Sequence, residues 1–323
     1  MELIFQFTLL IVGLVLLWKM GDYAVRYALG VSKIFGIHQF TIGFIIFAVS
    51  TGFPEISAAV VSTLKNVPEL SVGDLMGSTF VNISLMLGIL ALMRERIEIS
   101  LSLRNKLFKV IALLALIFLW LTLFNQGSFW NGILLIIVYV ASIFWFQGGL
   151  PKEEAGTEIK EIEQEVQEIE KAAWISPKID ILGRLLGSLG LLLIASWITV
   201  YAATNISTLM GVNLTYIGGT LIAVGTSFPE LALAIHAVRR KEYGLALGDL
   251  FGSSLLNISF ILGILMIMNP KIDLSFIWKL LPCLFAILIW TFQALFRKQE
   301  LSRKDGYVFI SIFIAYIVIL YIK

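Results

Sequence analysis

Charge is scarce in this sequence. Only 14% of its 323 residues are Asp, Glu, Lys or Arg, and 59% are apolar, with a mean hydropathy of +0.92. A soluble domain carries roughly 25% charge, so the solvent for most of this chain is lipid. Cysteine is nearly absent. The one thiol, Cys283, sits in an apolar run, which excludes a disulfide framework and a Cys-based metal site. The first residues lack a basic n-region and an A-x-A-like cleavage site, so Leu3 onward reads as a retained helix and not as a signal peptide. The net charge of +2 says little by itself, and no nucleic-acid surface or obligatory protein partner is expected.

Long apolar runs are abundant. A bilayer core about 30 Å thick needs about 20 apolar residues per helix. Ten segments qualify, at about 3–29, 38–64, 68–93, 105–124, 128–147, 179–204, 212–238, 243–268, 274–296 and 305–322. They are too long for membrane strands and lack the alternation that strands require. Placing the N-terminus outside leaves Lys65, Lys271 and Lys323 on the outer side and nineteen Lys and Arg on the inner side, Arg94, Arg239, Arg240 and Arg303 among them. The positive-inside rule therefore puts both termini outside a plasma membrane and the middle loop in the cytoplasm.

The chain also repeats itself. Shifted by 175 residues, 36–90 align with 211–265 without a gap and with 23 identities in 55 positions. AVSTGFPE (48–55) faces AVGTSFPE (223–230), and GDLMGSTFVNISLMLGIL (73–90) faces GDLFGSSLLNISFILGIL (248–265). An offset of five helices inverts the second copy, as in transporters whose sites lie at the midplane on discontinuous helices. The expected fold is therefore an all-α membrane protein of ten transmembrane helices in two inverted five-helix repeats. A first repeat (1–147) is joined by an acidic linker (148–177) to a second (178–323).

Glu55 and Glu230 fall near the middle of their spans, just after a glycine and a proline. A buried carboxylate costs several kcal/mol unless it is paired or metal-bound, so each is a functional candidate. Pro54 and Pro229 lack an N–H, and Gly52 and Gly225 permit irregular backbone. Together they release carbonyls about one turn earlier, at Ala48 and Thr51 or at Ala223 and Thr226. Carbonyls beside a carboxylate make a hard-oxygen cage of the kind Ca²⁺ prefers and Na⁺ accepts. Two glutamates neutralise one Ca²⁺ or two Na⁺, which is a physical basis for obligatory exchange. Pairing with buried cations is the competing explanation, for which Lys19 and Lys279 are the only candidates. Asn82 and Asn257 supply the next oxygens, with Ser78 and Ser253 four residues earlier on nearly the same face. These four could equally join helices by hydrogen bonds. Asp74 and Asp249, one turn earlier again, either gather cations at the two mouths or accept N–H groups from a broken neighbouring helix.

Eight glutamates between Glu153 and Glu170, with Ile159, Ile162, Val166 and Ile169 at helical spacing, indicate an amphipathic acidic helix acting as a solvated connector. No EF-hand pattern appears. His38 and His236 read as interfacial, and His236 is a candidate proton sensor. A channel could use the same residues, but two central carboxylates favour occluded binding. An aspartyl protease dyad of Asp74 and Asp249 lacks the G-x-G-D context and sets the two residues toward opposite faces, so no enzyme is expected.

With these motifs in place, the chain resembles the calcium:cation antiporter superfamily, and within it the prokaryotic sodium/calcium exchangers. G-T-S-x-P-E followed by G-[ND]-x-x-G-S-x-x-x-N is the shared signature, and the likeness covers everything but the middle loop. The resemblance implies Ca²⁺ held by Glu55, Glu230 and the carbonyls of Thr51 and Thr226. It implies an outer Na⁺ site from Ala223, Thr226, Ser227, Glu230 and Ser78, and an inner one from Ala48, Thr51, Gly52, Glu55 and Ser253. No cofactor is implied; Ca²⁺ and Na⁺ are substrates. Three departures bear on the coupling ion. Gly52 stands opposite Ser227, Asn257 replaces an aspartate of some relatives, and Asp74 and Asp249 replace the more usual asparagine. The Asn257 change argues against K⁺ co-transport. The G-N-x-x-E of the proton-coupled branch is absent, and Ca²⁺/H⁺ or other divalent exchange is the alternative.

Overall fold

The computed structural model describes residues 2–64, 68–123, 127–147, 177–209, 227–275 and 277–321. The acidic linker, Ala223, Thr226 and the first part of the expected span at 212–238 lie outside these residues. Apolar sequence in hydrocarbon leaves the backbone no partner but itself, so it coils into helices. They are α1 (Glu2–Phe35), α2 (39–51), α3 (Phe53–Leu64), α4 (68–93), α5 (Leu101–Leu123), α6 (Phe129–Gln147), α7 (Pro177–Leu209), α8 (Phe228–Arg239), α9 (243–268), α10 (Ile277–Gln293, continued by Ala294–Lys298) and α11 (Arg303–Tyr321). Among the described residues, eight helical runs are long and apolar enough to cross a membrane. The expected seventh span is described only as α8, and the expected tenth coincides with α11.

The repeat carries through to element boundaries. Displaced by 175 residues, α3 falls on α8, the start of α1 on the start of α7, and all three parts of α4 on those of α9. One short element gave no signal in the sequence. Arg96–Glu98 (β1) pairs antiparallel with Glu300–Ser302 (β2), Ile97 opposite Leu301. Strands of three residues contain too little alternation to be read from sequence. Beside them, Asp305 at the third position of α11 reaches back to the Ser302 N–H (2.9 Å) and accepts from Trp290 Nε1 (3.1 Å), a capping-box arrangement.

The helices form two compact units, each drawing on both repeats. The first contains the described residues of 1–51 and 150–249, the second those of 52–149 and 250–323. In the first unit α1 lies along α7, with Gly13 so close that a Cβ would come 3.1 Å from the Thr199 nitrogen. Its 34 residues extend about 51 Å, longer than a bilayer core of about 30 Å. α2 crosses α9 at Gly43 and Gly248, where a Cβ on Gly248 would stand 2.6 Å from the Phe40 carbonyl oxygen. In the second unit α4 crosses α11 at Gly88 and Gly306, and α9 crosses α6 at Gly263 and Gly132. A Cβ on Gly263 would lie 2.7 Å from the Gly132 oxygen, and one on Gly306 2.9 Å from the Gly88 oxygen. α4 and α9, which carry the two copies of the repeated sequence, are thus packed backbone on backbone against α11 and α6.

Candidate ion-binding site

Each expected glutamate sits at the start of a helix. In the first repeat α2 stops at Thr51, Gly52 forms a turn, and α3 begins at Phe53. Pro54 is tolerated there because the first N–H groups of a helix have no internal acceptor. Glu55 therefore occupies the first turn of α3, as Glu230 does in α8, and each is 1% exposed. The first turn of each new helix closes normally, Ile56 N–H on the Gly52 carbonyl (3.0 Å) and Leu231 N–H on the Ser227 carbonyl (3.1 Å). A helix N-terminus carries roughly half a positive charge, which offsets part of the desolvation of a carboxylate there. Lys19 and Lys279 are exposed, so neither is positioned in the interior as a counter-ion.

Each unit holds its own donors. In the first, Ala48 and Thr51 are fully buried on a segment that packs against α8, the carrier of Ser227 and Glu230. The Thr51 hydroxyl donates to the Phe47 carbonyl (3.0 Å). The Ser227 Oγ is buried and has no hydrogen-bond partner among the described residues. Asp249 is fully buried where Gly43 presses on its backbone, a Cβ there falling 2.8 Å from the Asp249 nitrogen.

In the second unit α3, α4 and the later part of α9 pack on one another, which brings together the elements bearing Glu55, Ser78, Asn82 and Asn257. Asn269 Nδ2 donates to Thr63 Oγ1 (2.8 Å) and fastens the end of α3 to the end of α9. Ser78 is 0%, Asn82 0%, Ser253 1%, Asn257 2% and Asp74 7% exposed. Neither amide atom of Asn82, nor Oδ1 of Asn257, has a hydrogen-bond partner among the described residues. Amides buried to join helices would be satisfied by those helices. No group of three or more His, Cys, Asp or Glu placed to hold a metal ion occurs among the described residues. Within each unit the arrangement is thus carboxylate plus neutral oxygen, a hard donor set.

The sequence pattern did not reveal the π-helical segments. Val81–Met86 in α4 and Leu256–Ile261 in α9 are π-helical, and the two asparagines stand second in them. The Asn82 carbonyl accepts the Leu87 N–H and the Asn257 carbonyl the Leu262 N–H, five residues on. Such segments widen a helix and shift its carbonyls, and they recur at functional sites. Ser84 and Ser259, both fully buried, donate to the Phe80 and Leu255 carbonyls inside these turns. The triplet Asn-Ile-Ser that carries them is identical in both copies. Of the histidines, His38 stands at the start of α2, and His236 is buried on α8 with Nδ1 3.5 Å from Asp22.

Comparison with known proteins bears on what such a site serves. The sequence profile of a family described as sodium/calcium exchanger protein matches residues 5–147 and 181–322. Inner membrane protein YrbG of Escherichia coli (strain K12) is 30% identical over 97% of this chain and 96% of its own length. Sodium/calcium exchanger MaX1 of Methanosarcina acetivorans is 26% identical over 98% of both. A solved structure of the sodium-calcium exchanger NCX_Mj, soaked with Na⁺ and Sr²⁺, superimposes with a TM-score of 0.82 at 22% identity and covers 99% of each chain.

Proposed function

The chain belongs to the family of sodium/calcium exchanger proteins, and on that premise we propose that it is a secondary active antiporter that exchanges Ca²⁺ for Na⁺ by alternating access. The observation that carries the reading is the pair Glu55 and Glu230. Each repeat has one such carboxylate, 1% exposed, in the first turn of a helix that has a proline at its second position. Relatives named as antiporters and exchangers, MaX1 among them, support it.

In this reading the protein is a multi-pass membrane protein of ten transmembrane helices in two inverted repeats, with both termini outside and the 148–177 linker cytoplasmic. Glu55 and Glu230 supply the two charges that neutralise one Ca²⁺. The carbonyls of Thr51 and Thr226 and the amides of Asn82 and Asn257 complete a hard-oxygen shell. Na⁺ takes the same carboxylates together with Ala48, Ala223, Ser227, Ser78 and Ser253. Because both ions need the same two charges, each can load only when the other has left. With the carboxylates unneutralised, the field in a low-dielectric interior opposes the closed conformations through which the protein must pass. Exchange is therefore favoured and uncoupled leak suppressed.

The test is ⁴⁵Ca²⁺ uptake into proteoliposomes driven by a Na⁺ gradient and, separately, by a pH gradient. Uptake under the Na⁺ gradient alone is expected. Uptake that follows only the pH gradient would replace Na⁺ by H⁺ as the coupling ion.

A further inference from the structure

We propose that Asp22 is a positioning residue for Glu230, acting through α8 from the far end of that helix. The inference rests on the reading of Glu230 as a Ca²⁺ ligand. α8 is a single uninterrupted helix with Glu230 in its first turn and Arg240 just past its last, about 15 Å apart along the axis. Over its last two turns one face of α8 meets one face of α1, both within the first unit. Trp18, Gly21 and Asp22 are spaced three and four residues apart, on one side of α1. Ala232, His236 and Arg240 repeat every four on α8.

Each level of this contact is specific. At Gly21 the helices approach so closely that a Cβ would lie 3.2 Å from both Ala232 Cβ and His236 Cδ2. One turn away the Trp18 ring lies 4.2 Å from the His236 ring, and the Arg239 guanidinium lies over Trp18 at 4.5 Å. Closing the series, Arg240 Nη2 donates to Asp22 Oδ1 at 2.8 Å, across 218 residues of sequence. Arg26 Nε holds the other carboxylate oxygen at 3.1 Å from one turn along α1, so Asp22 is oriented before it meets Arg240. His236 Nδ1 faces the same Asp22 oxygen at 3.5 Å.

A rigid rod fixed at one end transmits that fixation to the other. The glycine and aromatic contacts set how near α8 lies to α1. The Asp22–Arg240 hydrogen bond, directional and charge-assisted, sets how far α8 is advanced and rotated, and so where the Glu230 carboxylate stands. Neither residue is among the ion ligands, and their side chains are 28% and 18% exposed, which leaves the pair weaker than a buried one.

The experiment uses full-length protein in sidedness-controlled proteoliposomes. It compares wild type, Asp22→Asn, Arg240→Gln, the double variant and Asp22→Glu. Asp22→Asn and Arg240→Gln should each raise the half-saturating Ca²⁺ concentration about tenfold, the scale of one part-exposed charge-assisted hydrogen bond. The double variant should be no worse than either single, because one interaction is lost once. Asp22→Glu should recover most of the wild-type affinity. A purely structural role would lower the yield or maximal rate and leave half-saturation alone, and that result overturns the proposal. So do single effects that multiply in the double variant. Wild-type protein that fails to exchange Ca²⁺ at all refutes the function, whereas wild-type exchange with unaltered Asp22 variants refutes only the positioning role.

Discussion

Replacing one carboxylate by its isosteric amide separates the ion site from the fold. Glu55→Gln keeps shape and volume, so the packing around a side chain that is 1% exposed is preserved. Removing one member of a buried ionic set costs about 3–5 kcal/mol, and half the charge that balances Ca²⁺ is lost here. That is roughly a 150- to 5,000-fold loss of affinity, which takes Ca²⁺ flux below detection at ordinary substrate levels. The apo protein should move the other way, if at all. An ionised carboxylate held in lipid is a burden that the start of α3 offsets only in part, so the amide variant should unfold at the same temperature or slightly higher. The assay is thermal unfolding in detergent by tryptophan fluorescence, with and without Ca²⁺, beside flux in proteoliposomes. Wild type should gain stability with Ca²⁺ according to RT ln(1 + [L]/Kd), about 2.7 kcal/mol at 100 times Kd, and the variant should gain almost nothing. Glu230→Gln should behave alike. Retained Ca²⁺ stabilisation with flux within a few-fold of wild type would refute the assignment of the central ligands.

Other predictions follow from the same geometry. Gly263→Ala forces a Cβ to within 2.7 Å of the Gly132 carbonyl oxygen and should destabilise by about 1–3 kcal/mol in thermal unfolding. Gly187→Ala, with nothing within 4 Å, should be neutral or stabilising by about 0.5–1 kcal/mol. Gly52→Ser meets no conformational barrier, since among the described residues the only glycine with positive φ is Gly36, and it supplies the hydroxyl that Ser227 has in the other copy. A gain of about 1 kcal/mol should tighten cytoplasmic Na⁺ dependence roughly fivefold, read from Na⁺-driven Ca²⁺ flux; a lowered maximal rate with an unshifted midpoint would instead mean that the break itself needs glycine. Exchanging residues 153–172 for a Gly/Ser linker of equal length should leave coupled flux in place, and its complete loss in well-folded protein would bring the linker into the mechanism.

Much of this protein was legible in its sequence because its solvent is lipid. Hydrocarbon forces every backbone polar group to bond within its own segment, so runs such as 101–123 and 129–147 announce themselves as helices by composition alone. The same intolerance made Glu55 and Glu230 conspicuous, and duplication at a fixed offset turned two isolated carboxylates into a related pair. Pro54 and Pro229 even located the starts of α3 and α8, because a missing N–H is a local, one-residue cause. Features set by distant partners were not legible. The π-helical turns at Asn82 and Asn257 follow no residue signature, since one residue more per turn depends on what presses on the helix from outside. The crossings of α4 with α11 and of α9 with α6 join glycines whose sequence neighbourhoods give no hint of each other. Nothing in the sequence around Asp22 points to Arg240, 218 residues away, and only the fold sets the two together. Sequence determined what each segment must be in lipid, and tertiary structure decided which segments touch, because contact between helices depends on surfaces assembled from residues far apart in the chain.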